Sequence, residues 1–173
     1  MPSIAPHPYR VRGVQTKDLS ACRRLYTEGL LGSSLLPNDT GWDMDNIEQV
    51  YMRPPENHFW VAVTPDDEVV GMLGVQHHET GVGEIRRLRV AKLHRRKGLG
   101  AALLETALTF CQHRGDVKVT LDTVMDKQVA MGLFEKFHFR HYRTKVVGGR
   151  ELLYFYVDLY SGEKRTKGIV DKK

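Results

Sequence analysis

Cysteine is scarce in this sequence: Cys22 and Cys111 are all that its 173 residues contain. Two isolated thiols make neither a disulfide framework nor a metal-ligand spacing, so the fold must be held by burial alone and no metal is expected. Both fall in segments of helical pattern and read as small core residues of a protein kept in a reducing compartment. Long apolar runs are missing as well. None approaches the roughly 20 residues needed to cross a bilayer, and residues 1–10 lack the apolar stretch of a secretory leader. The expectation is therefore a cytoplasmic protein with no membrane partner. Internal repeats and low-complexity blocks are absent too, which leaves one domain over residues 1–160.

What is present is ordinary for a globular protein, with 41% hydrophobic and 27% charged residues. The net charge of +5 suits a polyanionic ligand but equally a solvated surface. Part of it sits in residues 161–173, where Lys164, Arg165, Lys167, Lys172 and Lys173 face only Glu163 and Asp171. A basic end of that kind reads as a flexible tail, and no nucleic-acid partner is expected from it.

The most informative stretch spans residues 84–114. Its first part, 84–90, is rich in β-compatible residues, and 98–114 carries Leu99, Leu103, Ala107 and Phe110 or Cys111 at helical spacing. Between them lie Arg95, Arg96, Lys97, Gly98, Leu99, Gly100 and Ala101. Glycines at a helix start let backbone approach a ligand without a Cβ in the way, and the first helical N–H groups have no partner inside the helix. An anion is the natural occupant, and three consecutive cations beside His94 strengthen the preference for phosphate. The string is not a P-loop, which needs Gly-Lys-Ser/Thr at its end. Nor is it a dinucleotide fingerprint, because Leu103 stands where the third glycine belongs.

The pattern Arg-x-x-Gly-x-Gly, met by Arg95, Gly98 and Gly100 between a strand and a long helix, resembles the acetyl-CoA pyrophosphate loop of the GNAT superfamily of acyl-CoA N-acyltransferases. The element order read along the chain agrees. Residues 9–14 form a strand, Thr16 caps a first helix that ends near Gly29 or Gly32, and the Pro- and Gly-broken segment 32–57 holds a short helix over 43–52. Strands follow at 59–63 and 69–75 around the turn Pro65-Asp66-Asp67, then at 84–90, 117–123, 139–147 and 152–159, the last two joined at Gly148-Gly149. One residue of slippage between Ile85 and Leu88 predicts a β-bulge in the fourth strand. Residues 126–139 form a short amphipathic helix that resembles the superfamily's Asn-x-x-Ala-x-x-Leu-Tyr-x-Lys-x-Gly-Phe segment, with Lys127, Phe134 and His138 in place of the asparagine, tyrosine and glycine. The fold implied is α/β: a mixed, mostly antiparallel sheet of six or seven strands, helices on both faces, and fourth and fifth strands that splay. Within the superfamily, the runs around Leu88 to Val90 and Ala130 to Lys136 look closest to camello-type acetyltransferases. Those commonly carry an apolar segment near the N-terminus that is absent from this sequence.

The resemblance implies acetyl-CoA as cosubstrate, a small primary amine such as an amino acid or its conjugate as acceptor, and a monomer or homodimer. It also implies the contacts. The loop Arg95 to Ala101 would hold pyrophosphate, the backbone of Leu88, Arg89 and Val90 would meet the pantetheine amides, an N–H near Val90 would meet the oxyanion, and Lys127 and Phe134 would lie near the sulfur. Glu84 is the candidate general base, because a primary amine with a pKa of about 10.4 must lose a proton before it attacks; a role ordering the strand edge is its alternative, and His77 and His78 are the fallback. Phe134 cannot donate to a leaving thiolate, which leaves either unassisted departure, help from Tyr142, Tyr154, Tyr156 or water, or a non-catalytic CoA-binding module. Acidic residues Asp39, Asp43, Asp45 and Glu48 would attract a cationic amine or, for Asp43 and Asp45, cap a helix. A peptide or protein amine is the competing acceptor.

Overall fold

The computed structural model describes residues 8–28 and 39–159. A single seven-stranded sheet runs in the order β1-β2-β3-β4-β5-β7-β6. Strands β1 (Arg10–Gly13), β2 (His58–Val63), β3 (Val69–Glu79) and β4 (Val82–Val90) pair antiparallel, as do β5 (Lys118–Thr123), β7 (Arg150–Asp158) and β6 (Arg140–Val147). The two halves meet in the parallel pair β4 and β5, and the crossover that such a pair requires is the long helix α3 (Leu99–Arg114).

Helices cover both faces. Strand β2 is apolar on both sides for that reason: Phe59, Val61 and Val63 pack with α1 (Leu19–Glu28) and α2 (Trp42–Asp45), while Trp60 and Ala62 join the α3 core. The α3 side also holds Phe134 of α4 (Lys127–Phe134) and Phe155 of β7. Cys22 and Cys111 sit in the two cores fully buried, one on each face, and burial pushes each thiol up to about 12. Helix α3 stops at Gly115, whose φ of 90° lets the chain turn so that the Asp116 N–H reaches the Cys111 carbonyl at 3.0 Å.

Several local expectations are corrected. Gln15, not Thr16, holds the N-cap position, and its N–H donates to the Asp18 carboxylate at 2.7 Å. The segment 43–52 is not one helix but α2 followed by a wide π turn, Glu48–Met52, and Gly41 rather than an aspartate precedes α2. Strand β3 runs on to Glu79, beyond the expected Val75, because β4 turns back tightly at Gly81 and pairs with it to the end. The end of α1 and the basic tail 161–173 lie outside the described residues.

Candidate active site

The site is made by two strands that stop pairing. Residues 82–85 of β4 lie in register with 118–121 of β5, ending at Ile85 opposite Leu121, yet both strands continue. At that level β4 bulges: its pairing with β3 steps from Gly74↔Arg86 to Met72↔Arg89, so Leu73 opposes two residues. The extra residue is Arg87, at a φ of 59°. A bulge bends and twists its strand, and here it carries β4 away from β5. Because Arg89 pairs with Met72 and the Ala91 N–H donates to Val70, the alternate residues Leu88 and Val90 turn their N–H and C=O toward the open side. Their carbonyls each accept one guanidinium bond, from Arg89 Nη1 at 2.9 Å and Arg95 Nε at 3.0 Å.

The gap opens into a cleft of about 360 Å³ lined from both faces of the sheet. Ile85, Leu88, Leu121, Met125 and Phe134 reach it from the α3 side. From the α1 side come Asp39, Asp43, Gln76, Arg86, Arg87 and Arg89, with Asp122 of β5 and Arg150 of β7 on the opposite wall. Arg87 is fixed tightly. Its Nε and Nη2 donate to Asp43 at 2.9 and 2.5 Å, its Nη1 and Nη2 to Asp39 at 2.6 and 3.0 Å, and its guanidinium lies 4.8 Å from the Tyr26 ring centre. Tyr51 donates to the same Asp43 at 2.6 Å and in turn packs against Gly74, where an added Cβ would stand 2.8 Å from its ring. The Tyr51 ring, the buried Asp43 carboxylate and the bulge are thus linked by direct contacts. Although both aspartates are drawn out of water, the hydrogen bonds and charge of Arg87 hold Asp39 down to about 2 and Asp43 below the usual carboxylate range.

Arg89 is compensated differently. Its Nε is enclosed without an acceptor. Burial, with repulsion from Arg87, lowers the guanidinium pKa to about 10. Asp122 moves the other way: desolvation raises its carboxyl above the ordinary value.

At the α3 end, the loop after β4 is shaped for an anion. Arg96 and Gly98 have φ values of 61° and 79°, and no side chain caps the helix. The first helical bond runs from the Ala102 N–H to the Gly98 carbonyl, so the N–H groups of Leu99, Gly100 and Ala101 have no partner within α3. Arg96 and Lys97 are exposed at its rim, and the Tyr9 hydroxyl joins His94 Nδ1 at 2.8 Å. These groups fit a pyrophosphate.

The other expected residues fall as follows. Glu84 is half-buried, with Oε2 3.5 Å from His78 Nδ1 and Oε1 3.6 Å from Arg86 Nη1, but it does not line the cleft. His77 and His78 are exposed on β3 away from it. Phe134 does line it, with its ring 5.1 Å from Phe155 and 5.8 Å from Phe139. Lys127 is exposed at the start of α4. None of Tyr142, Tyr154 and Tyr156 lines the cleft; they cluster on β6 and β7, with Arg143 4.1 Å above Tyr154 and Lys118 5.3 Å above Tyr156. Asp39 and Asp43 serve Arg87, so they are neither helix caps nor open charges for an amine. Sequence reasoning missed Asp122 and Arg150. Alternation on β5, with Thr120 and Asp122 set against Val119 and Leu121, was a signal for the first; nothing local marked Arg150.

The profile of the Acetyltransferase (GNAT) family matches residues 21–139. N-acetylaspartate synthetase of Rattus norvegicus is 40% identical over 100 residues, 57% of this chain and 33% of that protein. The Xenopus tropicalis protein described as probable N-acetyltransferase camello is 33% identical over 107 residues, 61% of this chain and 48% of that one. This chain therefore spans about a third to a half of the length of these relatives. Among solved structures, a GCN5-related N-acetyltransferase from Kribbella flavida superimposes with a TM-score of 0.72 at 21% identity, covering 90% of this chain and all of that one. Spermidine N-acetyltransferase of Vibrio cholerae, solved with CoA and spermine, gives 0.69 at 15%, covering 87% and 95%. With the family profile spanning most of the described residues and the same fold in these structures, the chain belongs to the GNAT family of acetyltransferases.

Proposed function

We propose that this chain transfers the acetyl group of acetyl-CoA to the amine of a small molecule, an amino acid or its conjugate. The observation that carries the proposal is the parting of β4 from β5 above Ile85 and Leu121, which opens a cleft reached from both faces of the sheet. The α3 face offers the phosphate-shaped loop of Arg95, Arg96, Lys97, Gly98, Leu99, Gly100 and Ala101. From there the pantetheine arm runs along β4, where the N–H groups of Leu88 and Val90 remain after their carbonyls are engaged. The thioester then lies against Phe134, and an N–H at Val90 meets the oxyanion as the amine adds to the carbonyl carbon. Lys127, at the rim of α4, faces the outer part of the cosubstrate.

The amine must arrive neutral. Glu84 accepts its proton through water, since Arg86 and Gln76 stand between the carboxylate and the cleft. Asp122 is the direct alternative: it lines the cleft, and its raised pKa makes it a better base than an ordinary aspartate. Collapse of the tetrahedral adduct breaks the carbon–sulfur bond. A thiolate with a pKa near 8.5 leaves without a strong acid, so the phenylalanine at 134 is compatible with turnover. The relatives' names support an amino acid as acceptor. The test is release of free CoA thiol from acetyl-CoA across a panel of amines, beside calorimetry with CoA. Turnover on small amines is the expected result; CoA binding without turnover on any amine would make the chain a binding module, and turnover on peptides alone would overturn the small-molecule acceptor.

A further inference from the structure

We infer that Arg89 and Arg150 form a carboxylate-reading subsite on the α1 side of the cleft, so that the acceptor is a free acidic amino acid. This rests on the acetyltransferase reading above. Four arginines and three aspartates line the cleft, and their pairing is uneven. Arg87 is fully engaged by Asp39 and Asp43, which removes both carboxylates as attractors for a cation. Arg86 donates to Gln76 Oε1 at 3.0 Å and stands near Glu84. Arg89 has the Leu88 carbonyl on Nη1, but its Nε is enclosed and meets no acceptor. An enclosed guanidinium donor with nothing to donate to is costly, and a carboxylate is the group whose fork matches it.

Burial first, and then repulsion from Arg87, lower the Arg89 pKa, as expected of a guanidinium taken out of water with no carboxylate on its Nε. A polyamine would bring further cations to a buried guanidinium that already lacks an acceptor on its Nε.

Position supplies the second half of the inference. Arg89 stands on β4 and Arg150 on β7, beyond β5, so the two guanidiniums come from opposite walls of the gap. An α-amino acid with a side-chain carboxylate presents one acid to each wall and its amine between them, toward the split. A peptide with an acidic first residue has lost its α-carboxylate to the peptide bond and satisfies only one wall.

The experiment compares L-aspartate and L-glutamate with L-asparagine, L-glutamine, spermidine and an aspartate-initiated peptide, reading thiol release from acetyl-CoA. The acids are expected to exceed every other acceptor in kcat/KM by about 100-fold or more. Arg89→Gln and, separately, Arg150→Gln should raise KM for the acid at least about tenfold while KM for acetyl-CoA stays constant. Succinate, which has both carboxylates and no amine, gives a readout without turnover: titrated into the CoA complex it should bind the wild type and bind each variant at least about tenfold more weakly. Equal or faster turnover of amides, spermidine or the peptide overturns the inference and leaves the acetyltransferase intact. So does succinate affinity that ignores Arg89→Gln. Absence of CoA binding and of turnover on any amine brings down both.

Discussion

Removing the Arg87 side chain should expose how much the bulge depends on charge. In Arg87→Gln the carboxylates of Asp39 and Asp43 lose the one cation they share, while Tyr51 still donates to Asp43. The guanidinium is 7% exposed, the Asp43 side chain 9% and that of Asp39 22%, so water does little to replace it. Breaking a buried pair by removing one partner costs about 3–5 kcal/mol. The protonation of Asp39 gives an independent figure. Its fall from 3.8 to about 2 corresponds to about 2.5 kcal/mol, reduced to about 1–2 by its residual exposure. Asp43 adds to this in the same direction. A loss of about 3–4 kcal/mol at pH 7 is the expected total. The sign with pH follows from depressed carboxyl pKa values: the contribution is complete above the unfolded value near 4 and disappears as pH falls toward 2. Urea unfolding of wild type and variant at pH 7, 5 and 3 measures it. The gap between them should be widest at pH 7 and 5 and shrink at pH 3. A difference below about 1 kcal/mol at pH 7, or one independent of pH, refutes the view that this pair holds the bulge.

Gly100→Ala should act on binding and stability in opposite directions. Its Cβ would meet Leu133 at 3.7 Å, ordinary contact, so the helix gains roughly 0.5–1 kcal/mol while CoA affinity by calorimetry falls about tenfold or more; an unaltered Kd removes the loop from cosubstrate binding. Gly98, at a φ of 79°, is the poorer target because any side chain there strains the backbone. Glu84→Gln should depress kcat steeply at neutral pH and recover toward alkaline pH, where the amine deprotonates by itself. An unchanged pH profile, together with a changed one in Asp122→Asn, would transfer the base role to Asp122. Neither Cys22 nor Cys111 should react with a thiol reagent in the native protein, since each is buried with its pKa raised to about 12; labelling within minutes without denaturant would contradict that packing.

Much of the architecture was legible because it rests on local rules. The apolar run Phe59 to Val63 marked a strand, the helical spacing over 98–114 marked α3, and the broken alternation between Ile85 and Leu88 bracketed the bulge that the structure places at Arg87. The charged side of the cleft was not legible. Arg87 lies 48 and 44 positions from Asp39 and Asp43, and no periodicity predicts that a bulged arginine will reach back to a segment broken by glycine and proline. Glu84 was read as the first residue of its strand, whereas β4 begins at Val82, and the level at which β4 leaves β5, just past Ile85, depends on side chains of both strands. Arg150, at the beginning of β7, enters the cleft only through the order of strands in the sheet.

An opening that passes through a sheet has two doors. On the proposed reading, a nucleotide seated at the α3 entrance would leave the α1 entrance open, so neither ligand would have to wait for the other's departure, and each product could leave by the way its precursor came. That leaves a ternary complex as the natural kinetic species: plots of reciprocal rate against reciprocal concentration should intersect, and an acetylated protein should not accumulate when the amine is withheld.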